Sequence, residues 1–188
     1  MLNQFFKLLL ICCFFPFTSS AQIAAFEFSD SEKENVKVLN LRKQKLKELP
    51  NEVFSFPNLE VLILQRNKLE SLPDSMWHKL PKLHYVDVSQ NKLSRLPEAW
   101  ATLPIDTLIA NRNYIAYLPA SYAQMSQLSY LDLWSNELIT LPDSFAQLPR
   151  LKRVDLRGIS MNKRHQTKLL DAFPKIEILL SAPCNCGD

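Results

Sequence analysis

The dipeptide Leu-Pro recurs along this chain at nearly constant spacing, and this repeat limits the possible folds more than any other feature. Five of its copies, ending at Pro50, Pro73, Pro97, Pro119 and Pro142, are spaced at intervals of 23, 24, 22 and 23 residues. A proline in every unit excludes one long helix, because proline lacks an N–H and clashes with the preceding turn. A fixed period of this length predicts stacked units that bury their apolar faces against one another.

The residues before each Leu-Pro follow one pattern, which in the second unit reads Leu59-x-x-Leu62-x-Leu64-x-x-Asn67-x-Leu69-x-x-Leu72-Pro73. The next three units keep the pattern with Val, Ile or Ala at some leucine positions, whereas the first unit has Gln44 at the Asn position and the sixth has Ile159. Alternation such as Leu62-x-Leu64 is typical of a strand with one buried face. Strands this short are stable only side by side, so the units predict a parallel sheet over a leucine core.

This pattern resembles that of the leucine-rich-repeat family, L-x-x-L-x-L-x-x-N-x-L, over about residues 36–160. The Leu-Pro and the period are most similar to those of Ras-suppressor-like proteins and many bacterial repeat proteins. The resemblance implies an α/β solenoid of about six units, with a curved parallel β-sheet on the concave face and short helical or 3₁₀ segments on the convex face. It also implies that the concave sheet is the binding surface.

An asparagine follows four of the predicted strands, where the chain must turn inward. A buried amide can both donate and accept hydrogen bonds, so it can satisfy backbone groups of its own turn and of the adjacent one. We therefore predict a structural asparagine ladder with no catalytic role, formed by Asn67, Asn91, Asn113 and Asn136.

Apolar residues recur three and six positions after the prolines, which is the spacing of a short helical or 3₁₀ turn with one side facing the core. At the first of these positions we predict burial in the convex layer for Val53, Met76, Trp100, Tyr122 and Phe145. Trp77 lies in the same segment, so its substitution is predicted to affect folding or nothing.

Residues 1–21 have the layout of a secretory signal peptide, with one basic residue, an apolar run over residues 8–17 and small residues up to Ala21. A lipoprotein signal with a lipid anchor at Cys12 is the alternative. The apolar run is too short to cross a hydrocarbon core of about 30 Å. No second apolar run of about 18 residues is present, so the mature chain is predicted to lack a transmembrane segment and to be secreted, periplasmic or otherwise extracytoplasmic.

The remaining segments are predicted to close the solenoid. Residues 22–35 are assigned to an N-terminal cap whose form stays open, and residues 161–181 to a C-terminal cap. Within the latter, residues 161–172 have helical spacing, and an edge strand is expected from about Ile176 to Leu180. Residues 182–188 form a tail.

No arrangement of residues in the sequence predicts catalysis, a cofactor or a metal site. The three histidines fall in different segments, and neither a nucleophile motif nor a phosphate-binding loop is present. Cys184 and Cys186 form a lone C-x-C without two further zinc ligands nearby. A disulfide between them is possible in an exported protein, although so small a ring is strained, and a bond to another chain or a disordered tail stays equally open. A formal net charge of +3 does not indicate a nucleic-acid partner.

The residues between the core leucines of each strand are expected to face the concave side. Tyr85, Tyr130 and Trp134 are aromatic where the fold requires no aromatic, and aromatic and Arg side chains dominate interface hot spots. Asp87 and Asp132 share one column with Asp155. We predict a partner-binding surface at Tyr85, Asp87, Ile109, Arg112, Tyr130, Asp132, Trp134 and Arg157. The expected partner is another protein; a glycan held by Tyr130, Asp132 and Trp134 is the alternative, and a merely solvated face stays open.

Overall fold

The structure is a computed structural model that describes residues 29–185. The predicted signal peptide lies outside these residues. In the described part, seven parallel strands follow one another in a single sheet in chain order, β1 to β7: Val38–Asn40, Val61–Ile63, Tyr85–Asp87, Thr107–Ile109, Tyr130–Asp132, Arg153–Asp155 and Glu177–Leu179. Equivalent residues pair across every strand boundary, as Leu39 pairs with Leu62 and Leu62 with Val86.

Short 3₁₀ helices lie on the other side of the leucine core, at Asn51–Ser55, Trp77–Lys79, Glu98–Thr102, Ala120–Gln124 and Asp143–Gln147. In all but the second of these, the proline of the Leu-Pro is the N-cap, with φ near −60° as at Pro97 (−63°). Its carbonyl accepts from the residue three positions later, as from the Trp100 N–H at 3.3 Å. Proline suits this position because its φ is preset and its missing N–H is not needed. The predicted α/β solenoid is confirmed.

The second 3₁₀ helix departs from the pattern, and Met76 packs against the core without the full burial that was predicted. This unit has one extra residue, and Met76 takes a left-handed conformation with φ of 72° and is only partly buried. Trp77 is fully buried instead, and its indole Nε1 donates to the carbonyl of Pro73 at 2.6 Å. Its ring packs edge to face on Phe54 and Trp100, with centroids 5.1 Å away in each case.

The asparagines that follow the strands are buried and connect consecutive units. The side chain of Asn91 donates to the carbonyls of Leu64, in the preceding unit, at 3.0 Å and of Val88, in its own unit, at 2.9 Å. Its Oδ1 accepts from the N–H of Leu69, also in the preceding unit, at 3.1 Å. The same three contacts, each made to equivalent backbone groups, recur at Asn67, Asn113 and Asn136.

Two helices close the described part of the solenoid. Helix α1, Asp30–Asn35, begins at Ser29 in a capping box with Glu32. Helix α2, Lys163–Ala172, begins at Asn162, whose side chain accepts from the His165 N–H. Strand β7 follows and completes the sheet. No helix in the described range 29–185 is long and apolar enough to cross a membrane.

The C-terminal tail is described only as far as residue 185. Cys184 is disulfide-bonded, and its backbone N–H donates to the carbonyl of Met161 at 3.0 Å. The tail therefore packs back on the segment that precedes α2.

Candidate functional site

The side chains that point away from the leucine core form rows across the sheet, and we call this side the concave face. The first row holds Val38, Val61, Tyr85, Thr107, Tyr130, Arg153 and Glu177. The second row holds Asn40, Ile63, Asp87, Ile109, Asp132, Asp155 and Leu179. Strands in a sheet lie about 4.8 Å apart, so Tyr85 and Tyr130, two strands from each other, are about 10 Å apart.

Two further rows lie beyond the carboxyl ends of the strands. The third row lies two residues after each second-row position. It consists of Arg42, Gln65, Ser89, Asn111, Trp134, Arg157 and Ser181. The next residue in each unit forms the turn row: Lys43, Arg66, Gln90, Arg112, Ser135 and Gly158. All six turn-row residues have a positive φ, between 52° and 72°. In the first five, the backbone N–H donates to a third-row carbonyl of the next unit at 2.8 to 3.0 Å, which holds the residue in this conformation.

Tyr85 and Tyr130 are half-buried and lie on either side of Thr107 in the first row. Burial is the main cause that raises the pKa of both phenols, and the neighbouring carboxylates Asp87 and Asp132 raise it further. Both phenols therefore remain neutral and able to donate near neutral pH. Within the described residues, neither hydroxyl has a hydrogen-bond partner.

The second-row aspartates differ from the prediction, because two of them are buried and engaged by their own turn. Asp87 is 8% exposed, and its Oδ1 accepts from the Ser89 N–H at 2.9 Å. Asp155 is 2% exposed and accepts from the Arg157 N–H at 3.1 Å. Such a carboxylate, bonded to the N–H two residues on, forms an Asx turn that ends the strand. Asp87 therefore offers little surface to a partner, contrary to its place in the predicted site.

Asp132 makes the same turn but is more exposed. Its Oδ1 accepts from the Trp134 N–H at 3.0 Å, and its Oδ2 accepts from the Asn111 side chain at 2.6 Å. Burial raises the pKa of the Asp132 carboxyl, although these two hydrogen bonds lower it in part and the nearby Asp155 adds to the rise. Asn111, a third-row residue, therefore holds this carboxylate.

Arg157 and Asp155 form an ion pair within one turn. The Arg157 Nη2 lies 2.6 Å from the Asp155 Oδ2, and its Nε donates to Asp155 Oδ1 at 3.0 Å. The hydrogen bond to Asp155 is the main cause that raises the pKa of Arg157. Arg157 is exposed, but part of its donor capacity is already used by its neighbour.

Trp134 is partly shielded on the concave face. The guanidinium of Arg112 lies over its ring at 4.3 Å from the centroid, a cation–π contact. A Cβ built on Gly158 would meet the Trp134 Nε1 at 3.0 Å, so the pyrrole edge of the ring lies against this glycine. Gly158, one of only two glycines in the chain, was missed by the sequence reasoning, although its place in the turn row was a usable signal.

Comparisons with known proteins agree with this geometry. A family model described as Leucine rich repeat matches residues 34–93 and 57–115, and a second one matches residues 127–148. The chain belongs to the leucine-rich-repeat family. It is 36% identical over 94 residues to the Leucine-rich repeat and calponin homology domain-containing protein 1 of Mus musculus, a match that covers 50% of this chain and 13% of the mouse protein. The structure of a leucine-rich-repeat protein of Leptospira interrogans is similar, with a TM-score of 0.72 and 32% identity over 77% of this chain and 37% of that chain.

Family membership explains the interior of this leucine-rich-repeat chain better than its outer face. The pattern that defines the family covers the core leucines and the ladder asparagines, and it leaves the first, second, third and turn rows free to vary. Residues 29–185 hold no group of three or more His, Cys, Asp or Glu side chains that could bind a metal ion. What the outer rows offer is a rigid surface with aromatic, apolar and cationic side chains, which is suited to binding.

Proposed function

We propose that this leucine-rich-repeat chain is an exported protein-binding module whose partner contacts the concave face. The observation that carries the proposal is the group formed by Tyr85, Thr107, Ile109 and Tyr130 on adjacent strands. The two phenols are half-buried, yet neither hydroxyl forms a hydrogen bond with any of the described residues. Thr107 and Ile109 lie on the strand between them. A rigid aromatic pair beside an apolar floor is the type of surface that forms an interface hot spot.

The sheet keeps this surface in place without help from a partner. Tyr85 and Tyr130 flank the buried strand centres Val86 and Leu131, both 0% exposed. Because the strands are anchored on both neighbours, little conformational entropy is lost when a partner docks. A protein interaction of ordinary size therefore needs no rearrangement of the sheet.

A binding titration tests the concave-face proposal. A partner captured by the mature chain is titrated against Tyr85→Ala and Tyr130→Ala, with Tyr114→Ala as the matched control. Tyr114 is 54% exposed but lies beyond the sheet, next to the ladder residue Asn113. Each concave-face variant is expected to weaken binding by about tenfold or more, and the control by less than about twofold. Unchanged affinity in both folded concave-face variants, checked by circular dichroism, would show that the partner binds elsewhere.

A glycan partner remains the alternative, and the geometry around Trp134 makes it the weaker one. A sugar ring stacks on an open aromatic face, but Arg112 already covers one face of this indole at 4.3 Å. Binding of the purified chain to a polysaccharide array, lost in Tyr130→Ala and Trp134→Ala, would favour the glycan instead.

Export is the second part of the proposal and rests on the layout of residues 1–21. N-terminal sequencing of the mature protein is expected to begin at Gln22. A mature chain that begins at a lipidated Cys12 would show instead that the exported protein is anchored to a membrane by its lipid.

A further inference from the structure

We infer that the concave face selects an acidic polypeptide, whose carboxylates lie along a basic edge formed by Arg42, Lys43, Arg66, Arg112 and Arg157. This inference rests on the proposed binding function and names the chemistry of the partner. All five cations belong to the third row and the turn row, beyond the carboxyl ends of the strands. Those two rows contain no Asp or Glu in any unit from Arg42 to Ser181.

The positive charge of the basic edge is mostly not neutralised from within the described part of the chain. Arg66 donates to the neutral Gln90 side chain at 2.8 Å, and Arg112 lies over the Trp134 ring. Of the five cations, Arg157 is the one whose ion pair is found among residues 29–185, with the buried carboxylate of Asp155. All five side chains are exposed.

At the opposite edge of the sheet, near the amino ends of the strands, basic side chains lie beside acids of the next unit. There, Lys37 lies 3.0 Å from Glu60 of the next unit. His84 Nδ1 likewise lies 3.3 Å from an oxygen of Asp106. Within the sheet, Arg153 of the first row pairs with Glu177 at 2.8 Å. Lys37 and Arg153 each pair with an acid of the adjacent unit and His84 lies beside one, whereas within residues 29–185 no cation of the basic edge forms an ion pair with an adjacent unit.

The cations of the turn row share one backbone conformation. Lys43, Arg66 and Arg112 all occupy the turn row, with φ of 60°, 59° and 52°. The same conformation in each unit, held by the same hydrogen bond to the next unit, starts these side chains from equivalent points along one line. From Lys43 beside β1 to the third-row residue Arg157 beside β6, the basic edge as a whole crosses five strand spacings of about 4.8 Å, or about 24 Å. An extended peptide of about seven residues covers this length.

The rows beside the basic edge decide between two kinds of acidic partner. Val61, Ile63 and Ile109 are partly exposed on the concave face, together with the ring surfaces of Tyr85 and Tyr130. An acidic polypeptide can place apolar side chains on these residues while its carboxylates reach the cations. A sulfated or carboxylated glycan has the negative charge but lacks the apolar side chains, so the polypeptide fits both features.

The test is a selection of random peptides of about twelve residues, displayed on phage, against the mature chain. The variant Arg42→Glu/Arg66→Glu reverses two exposed charges of the basic edge. The matched control Lys79→Glu/Lys168→Glu makes the same change in net charge on the second 3₁₀ helix and on α2. Both lysines are exposed. Folding of all three proteins is checked by circular dichroism.

The wild-type chain and the control are expected to enrich peptides that combine Asp or Glu with Leu, Ile or Tyr, and the basic-edge variant is expected to lose the acidic residues. For one enriched peptide, fluorescence anisotropy should show binding weakened by about tenfold or more in the basic-edge variant, and also on raising NaCl from about 50 to about 300 mM. Heparin should compete poorly.

Three results would overturn the inference. The first is a wild-type pool without an acidic excess, or no enriched pool at all. The second is an unchanged pool from Arg42→Glu/Arg66→Glu, and the third is heparin that binds more tightly than the peptides. Failure of the proposed function would give a different result. In that case the Tyr85→Ala and Tyr130→Ala variants would bind normally, while the charge reversals would still have their effect.

Discussion

The interior of the solenoid and its concave face both carry a row of polar side chains at equivalent points in successive units, but the two rows make different bonds. The ladder residue Asn91 accepts from Leu69 and donates to Leu64, so its side chain joins two units. The second-row residue Asp87 accepts from Ser89 within its own unit. The first kind of bond is repeated in four units, whereas the second is absent where Ile63 and Ile109 take the place of the acid.

This difference separates the residues that hold the scaffold from those that are free to vary. A side chain that bonds to the neighbouring unit is Asn in all four central units, since its loss leaves buried backbone groups unpaired in two units at once. A side chain that ends its own strand can be replaced by an apolar residue, and the sheet continues. The concave face can therefore diversify while the interior stays constant.

The largest expected effect is in the interior, at Trp77. Trp77→Ala removes a fully buried ring that packs on Phe54 and Trp100, so we expect a loss of about 3–5 kcal/mol in the free energy of unfolding. Trp134→Ala, on the concave face, should cost about 1 kcal/mol or less. Urea denaturation of both variants measures the two losses. A larger loss at Trp134 than at Trp77 would break the division between interior and outer face.

The next effect is expected at the asparagine ladder. Asn91→Ala leaves the Leu69 N–H and the Leu64 and Val88 carbonyls without their partner, at a cost of about 1–3 kcal/mol. Asn111→Ala loses one partly exposed hydrogen bond to Asp132 and should cost clearly less. Thermal unfolding of the two variants provides the comparison, and equal losses would contradict a special role for the ladder.

A smaller effect is expected at the Asx turns. Asp87→Ala removes the acceptor of the Ser89 N–H and should cost about 1 kcal/mol. Asp87→Asn keeps the amide oxygen as acceptor and is expected to be close to wild type. Chemical denaturation of the pair separates the hydrogen bond from the charge, and similar losses in both variants would mean that the charge of Asp87 is what matters.

The smallest effect is a dependence of stability on pH at Asp132. Burial raises the pKa of this carboxyl above its ordinary value of 3.8, so the folded state favours the protonated form. The contribution of Asp132 to stability is therefore greatest below pH 3.8 and is lost as the pH rises through the raised folded-state pKa. Asp132→Asn should become more stable relative to wild type over this window, measured by urea denaturation at several pH values. A difference that stays constant with pH would contradict the raised pKa.

Much of the scaffold could be predicted because each element depends on residues within one unit and the next. Leu62 and Leu64 alternate as a buried strand face requires, and Pro97 stands where its carbonyl accepts the first 3₁₀ hydrogen bond. Asn67 repeats at the one point where an amide serves two turns. Repetition made these signals readable, since each was present several times.

The concave surface was less predictable because its members depend on neighbours that the period does not specify. The rows and the positions of Tyr85 and Tyr130 followed from the alternation. The burial of Asp87 depends on a turn that closes over its carboxylate, and the shielding of Trp134 depends on Arg112 in the preceding unit and Gly158 in the next. The Asx turn itself recurs at Asp87, Asp132 and Asp155, but the degree of burial of the carboxylate differs among them, and the contacts around Trp134 occur once in the described residues.

The sequence by itself determined the solenoid, its parallel sheet and its asparagine ladder, because stacking identical units leaves few ways to bury their leucines. Only the tertiary structure decided that Trp77 fills the core where Met76 was expected, and that the indole N–H replaces a backbone donor at Pro73. It also decided which charged side chains stay unpaired at the basic edge. The physical reason is the same in both cases: packing and charge pairing depend on distances between units, and a one-residue insertion or a single substitution changes those distances while the repeat pattern stays recognisable.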